Sequence, residues 1–213
     1  MLANSTGPCA EYIRSHLKRE SDPQLRRMIE YAAENFIPIL LPESAAFLRQ
    51  LVMLIKPEKT LEIGTAIGFS GQLILTSGGQ KLYTVEINEE LAETARKNFA
   101  EAGLEKRATV FTGDAGEILP LMDGSFDMIF MDGPKTKYIE YLPQLMRMLK
   151  SGGALLCDNV LFSGMITGEA KYKKSKSTIV QGLDRFLEAV CSDDRLVTSI
   201  LPVGDGMSLS LRR

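Results

Sequence analysis

The sequence predicts an α/β fold in which a mainly parallel β-sheet has helices on both faces and ends in an antiparallel hairpin. From Pro57 onward, short apolar segments alternate with longer amphipathic segments, which is typical of parallel strands connected by helices. The end of the chain differs, because two strand-like segments flank the turn sequence Gly204-Asp205-Gly206. The length of 213 residues, with 45% apolar and 24% charged residues, fits one globular domain, residues 1–213.

Residues 1–57 are expected to form a helical N-terminal extension, and residues 58–213 the core that contains the sheet. Apolar side chains recur at helical steps of three and four positions. One such stripe comprises Leu25, Met28, Ile29 and Ala32, and a second comprises Phe47, Leu48, Leu51, Val52 and Leu54. Pro38 and Pro42 separate the two helices and leave an extended segment, Ile37–Leu41, while Pro57 ends the second helix.

Five strands and five helices are expected to alternate in the core. The strands are predicted at Thr60–Ile63, Leu82–Val85, Ala108–Phe111, Met128–Met131 and Ala154–Cys157. The helices are predicted at Ser70–Leu75, Glu89–Glu101, Gly116–Leu121, Tyr138–Leu149 and Ser177–Ser192. The hairpin strands are predicted at Leu196–Leu201 and Met207–Leu211.

Composition argues against several other classes of protein. The net charge of −2 does not attract nucleic acid over the whole molecule, so a nucleic-acid substrate would require a local basic patch. Cys9, Cys157 and Cys191 lack the spacing of a zinc site or a disulfide framework, which favours reduced thiols. The polar segment Met1–Ala10 lacks the apolar core of a signal peptide, and no apolar run approaches the roughly 20 residues of a membrane span. We therefore expect a cytoplasmic protein without a membrane partner.

The first strand runs into the turn Gly64-Thr65-Ala66-Ile67-Gly68, at the sheet edge where parallel α/β folds bind ligands. The GxxxG spacing differs from the GxGxxG of dinucleotide sites, and a tight turn without a ligand is the alternative. Glu86 ends the second strand about 20 residues later, where a carboxylate can hold a ribose diol or cap the next helix. Glu62, inside the first strand, needs a partner for its burial, such as a cationic amino group.

Polar side chains also follow the third, fourth and fifth strands. Asp114 is expected either to cap the next helix or to contact a ligand. Asp132 and the pair Asp158-Asn159 end neighbouring strands, so their oxygen atoms should converge. Such hard oxygen ligands suit Mg²⁺, Mn²⁺ or Ca²⁺ and suit zinc poorly. Asp158-Asn159 alone would indicate a simple chain reversal, but the alignment with Asp132 favours a metal site.

Together these residues resemble the metal-dependent O-methyltransferase family that includes the catechol and caffeoyl-coenzyme A O-methyltransferases. The resemblance extends from about Ile37 to the Gly204–Gly206 turn. Its most specific parts are Leu61–Thr65 with Gly68–Ser70, Asp132 with Lys135 and Tyr138, and Asp158-Asn159. It implies a Rossmann-like methyltransferase fold with a seven-stranded sheet, S-adenosyl-L-methionine as cofactor, Mg²⁺ or another hard divalent cation, and a homodimer.

The resemblance also implies roles for individual residues. Glu62 would bind the methionine amino group, Glu86 the ribose hydroxyls, and Ala115 the adenine through its main chain. The complete set of implied cofactor contacts is Leu40, Glu62, Gly64, Thr65, Ser70, Glu86, Ala115 and Asp132.

The catalytic residues implied by the resemblance are Lys135, as general base, and Asp132. Asp132, Asp158 and Asn159 match the metal ligands of the family. Gly133-Pro134 departs from the bulkier residues that relatives carry beside the first ligand, which leaves the shape of the substrate pocket open.

Within the family, Tyr31–Glu34 followed by Ile37–Ile39, and the Glu62–Gly68 segment, look most like bacterial tRNA 5-hydroxyuridine methyltransferases. A tRNA is therefore the expected substrate. The basic segment Lys171–Lys176 could contact RNA phosphates, although a solvated loop has the same composition. A methyltransferase of small catechol-like molecules is the alternative, and it would share every cofactor and metal residue. A non-catalytic cofactor-binding protein is disfavoured, because binding alone requires neither Lys135 nor the predicted metal ligands.

Overall fold

The computed structural model describes residues 8–213 of the chain. Eight α-helices lie in this part: α1 Pro8–His16, α2 Pro23–Glu34, α3 Pro42–Ile55, α4 Phe69–Thr76, α5 Glu89–Glu101, α6 Ala115–Ile118, α7 Tyr138–Met148 and α8 Ser177–Ser192. Seven strands also lie in this part: β1 Lys59–Ile63, β2 Lys81–Glu86, β3 Ala108–Thr112, β4 Phe126–Met131, β5 Leu149–Asp158, β6 Leu196–Leu201 and β7 Met207–Arg212.

The seven strands form one sheet in the order β3-β2-β1-β4-β5-β7-β6. Strands β1 to β5 pair in parallel, whereas β7 pairs antiparallel with both β5 and β6. The order reverses between β1 and β4, and such a switch point opens a crevice beyond the carboxyl ends of the strands. The predicted α/β Rossmann-like fold, including its C-terminal antiparallel hairpin, is confirmed.

Apolar side chains cover both faces of the sheet, because neighbouring residues of a strand point to opposite faces. In β4, Ile129 and Met131 pack with buried residues of α7 and α8, while Met128 and Phe130 pack with residues of α2 to α5. All four side chains are fully buried. The central strand is thus apolar on both sides, as expected for a parallel sheet between two helical layers.

The N-terminal part contains one more helix than the sequence indicated. Helix α1 precedes α2, whose first turn is capped by Asp22 through hydrogen bonds from the main-chain N–H groups of Gln24 and Leu25. Two expected core positions are exposed: Ile29 by 38% and Leu54 by 81%. Other residues of α3 form its buried face, and Leu54 lies on the side of the helix that faces away from the core.

The helices of the core agree with the predicted ones except for two main differences. The predicted helices fall on observed ones, although the Gly116–Leu121 helix is a single α-turn followed by a 3₁₀ turn at Leu119–Leu121. The helix predicted to reach Leu149 ends at Met148, because Leu149 already pairs with Phe126 of β4. The division into extension and core stays a prediction, and residues 1–7 of the extension lie outside the described residues.

Two properties bear on the surroundings of the protein. None of the helices within residues 8–213 combines the length and the apolar character that crossing a membrane requires. Cys9, Cys157 and Cys191 are free thiols; Cys157 is buried and the other two are exposed.

Candidate active site

A cavity of about 680 Å³ opens at the carboxyl edge of the sheet. The ends of all five parallel strands contribute to its wall, together with the extended segment after α2 and the turn between β6 and β7. Of the predicted site residues, the wall includes Gly64, Glu86, Asp114, Ala115, Asp132, Lys135, Asp158 and Asn159. Residues from five separate strand ends thus meet in one volume, as the parallel topology requires.

The loop after β1 is shaped by close main-chain contacts. Gly64 has a φ of +96°, and a Cβ atom there would lie 2.3 Å from the main-chain oxygen of Asp132. The N–H groups of Gly64 and Asp132 donate to the carbonyls of Val85 and Ile63, which joins the loop to β2 and to the end of β4. Glycine is therefore required at position 64, because any side chain would separate β1 from β4.

Glu62 lies beneath this loop and is fully buried. Its Oε1 accepts a hydrogen bond from the Ser70 hydroxyl at 2.6 Å, and its Oε2 accepts one from the Thr84 hydroxyl at 2.6 Å. The Thr65 hydroxyl lies 2.5 Å from that of Thr84 and extends the network. Burial raises the pKa of Glu62 to about 7, although both hydroxyls favour the ionised form. The nearby carboxylates of Asp132 and Glu86 raise it further.

Glu86 is almost fully buried and faces the cavity. Its Oε2 accepts a hydrogen bond from the Ala66 N–H at 2.8 Å and its Oε1 accepts one from the Asn88 N–H at 2.9 Å. Helix α5 is capped instead by the Asn88 side chain, which accepts from the Leu91 N–H. Helix capping therefore does not account for Glu86, and its oxygens retain capacity for further donors.

Asp114 caps a helix and also faces the cavity, so its position fits both roles considered for it from the sequence. Its Oδ1 accepts a hydrogen bond from the Gly116 N–H at 2.7 Å, at the start of α6. Ala115 follows as the first residue of that helix and lies against the same cavity, 7% exposed.

The ends of β4 and β5 bring the predicted metal ligands together. Met131 and Cys157 are paired in register, so Asp132 and Asp158 follow neighbouring positions. The Tyr138 hydroxyl donates to the main-chain oxygens of Met131 at 3.2 Å and Asp158 at 3.0 Å, which joins the two strand ends. Burial and the nearby Asp132 carboxylate raise the pKa of Asp158, whereas the hydrogen bond from the Asn159 N–H opposes this rise.

Lys135 forms an ion pair with Asp132, one of these two carboxylates. Its Nζ donates to Asp132 Oδ1 at 2.8 Å and lies 5.8 Å from the centre of the Tyr138 ring. Nowhere in residues 8–213 do three His, Cys, Asp or Glu side chains meet as a metal-binding group. A metal site here therefore depends on the Asn159 oxygen together with the two carboxylates.

Four predicted cofactor residues do not form the cavity surface: Leu40, Glu62, Thr65 and Ser70. Leu40 packs into the apolar layer, while its neighbours Ile39 and Leu41 line the cavity. Glu62, Thr65 and Ser70 form the buried network behind the glycine loop. They support the wall from within, and their contacts with a cofactor stay predictions.

Asp205 and Phe162 are among the cavity residues that were not identified as site residues from the sequence. Asp205 lies in the β6–β7 turn, where the glycines on either side indicated only a hairpin. Phe162 follows Asn159 in the loop after β5, and its ring lies 5.2 Å from the Nζ of Lys176. The Lys171–Lys176 segment is exposed throughout. Its last lysine therefore reaches a ring on the cavity wall.

Comparison with known proteins gives concordant matches. The O-methyltransferase family model matches residues 16–213. A catechol O-methyltransferase of Niastella koreensis is 32% identical over 213 residues, covering 94% of each chain. Caffeoyl-CoA O-methyltransferase 2 of Populus trichocarpa is 33% identical over 187 residues, covering 80% of this chain and 73% of the relative.

Solved structures agree with these matches. The O-methyltransferase from Bacillus cereus in complex with SAH superposes with a TM-score of 0.83 at 25% identity, covering 95% of this chain and 96% of that one. The O-methyltransferase TomG from Streptomyces achromogenes, in complex with SAM, superposes with a TM-score of 0.83 at 26% identity, covering 100% and 99%. The expected fold and the expected enzyme class, S-adenosylmethionine-dependent O-methyl transfer, are confirmed, and the chain belongs to the O-methyltransferase family.

Proposed function

We propose that the protein transfers a methyl group from S-adenosylmethionine to an acceptor hydroxyl in the carboxyl-edge cavity, with a divalent cation held beside the acceptor. The observation that supports this most strongly is the meeting of two sets of residues in one cavity. The first set lies at the ends of β1, β2 and β3 and comprises the Gly64 loop, Glu86 and Ala115. The second set lies at the ends of β4 and β5 and comprises Asp132, Lys135, Asp158 and Asn159. The cavity therefore offers one group of residues to the cofactor and another to the acceptor, and Asp132 is proposed to contact both the cofactor and the cation.

The cofactor is proposed to lie along the tips of β1, β2 and β3. Glu86, whose oxygens accept only one main-chain hydrogen bond each, would accept further hydrogen bonds from the ribose diol. Ala115 would contact the adenine through its main chain, and the absence of a side chain at Gly64 leaves the loop close to β4. The cationic amino group of the methionine portion would compensate the buried Glu62, and Leu40, Thr65 and Ser70 would support this end.

The donor set fits a hard divalent cation such as Mg²⁺, Mn²⁺ or Ca²⁺. Asp158 is 3% exposed, and the Asp132 carboxylate raises its pKa, so an added positive charge between them would be favourable. The third ligand is an amide oxygen on Asn159, held in a left-handed conformation with a φ of 57°. A cation bound there would act as a Lewis acid and would orient two neighbouring acceptor oxygens.

The chain itself is proposed to provide orientation and proton transfer. The cofactor supplies an activated methyl group, so the protein must deliver a deprotonated oxygen in line with it. Lys135 would take the proton of the acceptor hydroxyl at Nζ, and Asp132, whose Oδ1 lies 2.8 Å from that Nζ, would stabilise the resulting ammonium. Tyr138 keeps Asp158 in place through its bond to the Asp158 carbonyl.

The proposed acceptor is 5-hydroxyuridine in a tRNA, which would become 5-methoxyuridine. Its 5-hydroxyl and 4-carbonyl are two neighbouring oxygens of the kind that the site can orient. Support comes from the exposed segment Lys171–Lys176, whose Lys176 reaches Phe162 on the cavity wall. The four lysines of this segment suit contact with a phosphate backbone. A cytoplasmic homodimer is proposed from the resemblance to the family.

A small catechol-like acceptor is the second candidate, and the names of two relatives favour it. One is a catechol and the other a caffeoyl-CoA O-methyltransferase. The two ring hydroxyls of a catechol are an equivalent pair of oxygens. Such an acceptor would need the metal set and Lys135 but not the basic segment.

Mass spectrometry of nucleosides distinguishes these acceptors. Hydroxyuridine-containing tRNA is incubated with enzyme, Mg²⁺ and cofactor carrying a labelled methyl group, and a catechol is incubated in parallel. We expect labelled 5-methoxyuridine from the tRNA. Efficient labelling of the catechol with none in the tRNA would replace the proposed acceptor by the small molecule. Labelling of neither would contradict the use of paired oxygens as acceptor.

A further inference from the structure

We propose that Asp205 is a positioning residue that fixes residues 159–163 in the wall of the active site. The inference rests on the proposed function, because it concerns the segment that places Asn159 and Phe162 against the cavity. Asp205 lies at the turn between β6 and β7, far along the chain from that segment. It is 2% exposed and lies in the cavity wall.

Three hydrogen bonds hold the loop after β5 against this turn. The N–H of Val160 donates to the Gly206 carbonyl at 3.0 Å, and the N–H of Leu161 donates to the Asp205 carbonyl at 3.1 Å. The N–H of Ser163 donates to the Asp205 carboxylate at Oδ1. The first two bonds need only the main chain of the turn. The third depends on the side chain of Asp205 and holds the most distant part of the segment.

The segment needs such a restraint because its main chain is unfavourable. Asn159, Phe162 and Ser163 have φ values of 57°, 46° and 56°. Residues other than glycine adopt this left-handed region rarely, and Phe and Ser gain little there by themselves. Without the carboxylate, the segment is expected to relax toward ordinary conformations. That relaxation would move Phe162 away from the cavity.

The turn that carries Asp205 is itself closely packed on two sides. Gly204 has a φ of +60°, and a Cβ atom there would lie 2.2 Å from the buried Ser44 hydroxyl oxygen in α3. At Gly206, with a φ of +85°, a Cβ atom would lie 2.3 Å from Leu161 Cγ. The turn is therefore fixed between α3 and the loop after β5. This rigidity gives the Asp205 carboxylate a defined position.

A direct role of Asp205 in cation binding is not indicated. Asp132, Asp158 and Asp205 do not form a metal-binding carboxylate group within the part of the chain that the structure describes. Asp205 Oδ1 accepts a hydrogen bond from the main-chain N–H of Ser163. Asp205 thus acts on the site through the position of Asn159 and Phe162, and Phe162 in turn contacts Lys176 of the basic segment.

Hydrogen exchange tests this role without requiring enzyme activity. In Asp205→Ala, exchange of the Ser163 amide should be at least about tenfold faster, because its hydrogen bond to a carboxylate has been lost, whereas exchange of the Leu161 amide, which donates to the main chain of the turn, should change less. Asp205→Asn retains an oxygen acceptor and should restore most of the protection. Exposed Asp184 provides the matched control, and Asp184→Ala should leave these amides unchanged. If Asp205→Ala does not fold, Asp205→Ser takes its place, with weaker protection expected than in Asp205→Asn.

Kinetics and cofactor binding show whether the restraint serves the reaction. Asp205→Ala should lower kcat at least about tenfold, while the affinity for S-adenosylhomocysteine, measured by calorimetry, stays within about twofold of the parent. Asp205→Asn should recover kcat. Unchanged exchange in Asp205→Ala, or equal defects in the Asn and Ala variants, would overturn the proposal. A parent protein without methyl transfer would instead contradict the proposed function, and the exchange result would still decide on Asp205.

Discussion

The buried carboxylate of Glu62 makes the stability of the ligand-free protein depend on pH. Burial raises the pKa of Glu62 from its usual 4.5 to about 7. The folded protein therefore binds a proton at pH values at which the unfolded chain has released it. The contribution of Glu62 to the stability of the folded protein is fully present below pH 4.5 and is lost as the pH rises through about 7. The loss amounts to about 3 kcal/mol, since each pKa unit corresponds to about 1.4 kcal/mol.

The substitution Glu62→Gln removes this titration and keeps a side chain of the same shape. Relative to the parent, the free energy of unfolding of the variant should rise by about 2–3 kcal/mol between pH 5 and pH 8. Asp158, whose pKa is also raised, is present in both proteins and cancels in the difference. Urea unfolding, followed by circular dichroism without cofactor at several pH values, measures this quantity.

Exposed Glu105 is the matched control, and Glu105→Gln should show no such pH-dependent difference. S-adenosylmethionine should reduce the difference for Glu62→Gln, because its cationic amino group would stabilise the ionised parent carboxylate. A stability difference that stays constant from pH 5 to pH 8 would refute the reasoning. It would mean that Ser70 and Thr84 stabilise the carboxylate as well as water does.

Three further variants test separate parts of the site. Glu86→Ala should weaken S-adenosylmethionine binding by about 1–3 kcal/mol, measured by calorimetry, because charged hydrogen bonds to the ribose are lost. Unchanged affinity would exclude Glu86 from the cofactor site. Asp158→Ala should abolish Mg²⁺-stimulated turnover while S-adenosylhomocysteine still binds; metal stimulation equal to that of the parent would exclude Asp158 as a ligand. Changing the four lysines of the 171–176 segment to Ala should raise the KM for tRNA, reduce its salt dependence, and leave catechol methylation unchanged. An equal loss with both acceptors would indicate a general structural role of the segment.

The sheet could be predicted from the sequence because its strands are apolar on both faces and their ends carry clear turn signals. The ends of the five parallel strands differ from the predicted ends by no more than five residues, and the largest difference is at the start of β5. In β5, Leu149 pairs with Phe126, Lys150 to Gly153 interrupt the regular register, and Ala154 pairs with Met128. No apolar pattern in the sequence indicates this interruption. Helix α1 was not foreseen as a separate helix, because it has no buried residue to produce a stripe.

The candidate site residues at the ends of strands could be predicted from the sequence more readily than the contacts between loops. Asp132 and Asp158 could be placed together because parallel neighbouring strands end at the same edge. The contact of Asp205 with Ser163 joins residues from different parts of the chain and leaves no periodic signal. The burial of Glu62 was expected. The hydrogen bond from the Thr84 hydroxyl to its carboxylate was not, because that contact depends on the register between β1 and β2.

The dependence of methyl transfer on a divalent cation tests the account most directly. The measurement is transfer of a labelled methyl group from S-adenosylmethionine to hydroxyuridine-containing tRNA and to a catechol, with Mg²⁺ or with excess EDTA. The account predicts transfer to at least one acceptor with Mg²⁺, loss of transfer in EDTA, and recovery when Mg²⁺ is restored. Full transfer in excess EDTA would contradict the role assigned to Asp132, Asp158 and Asn159.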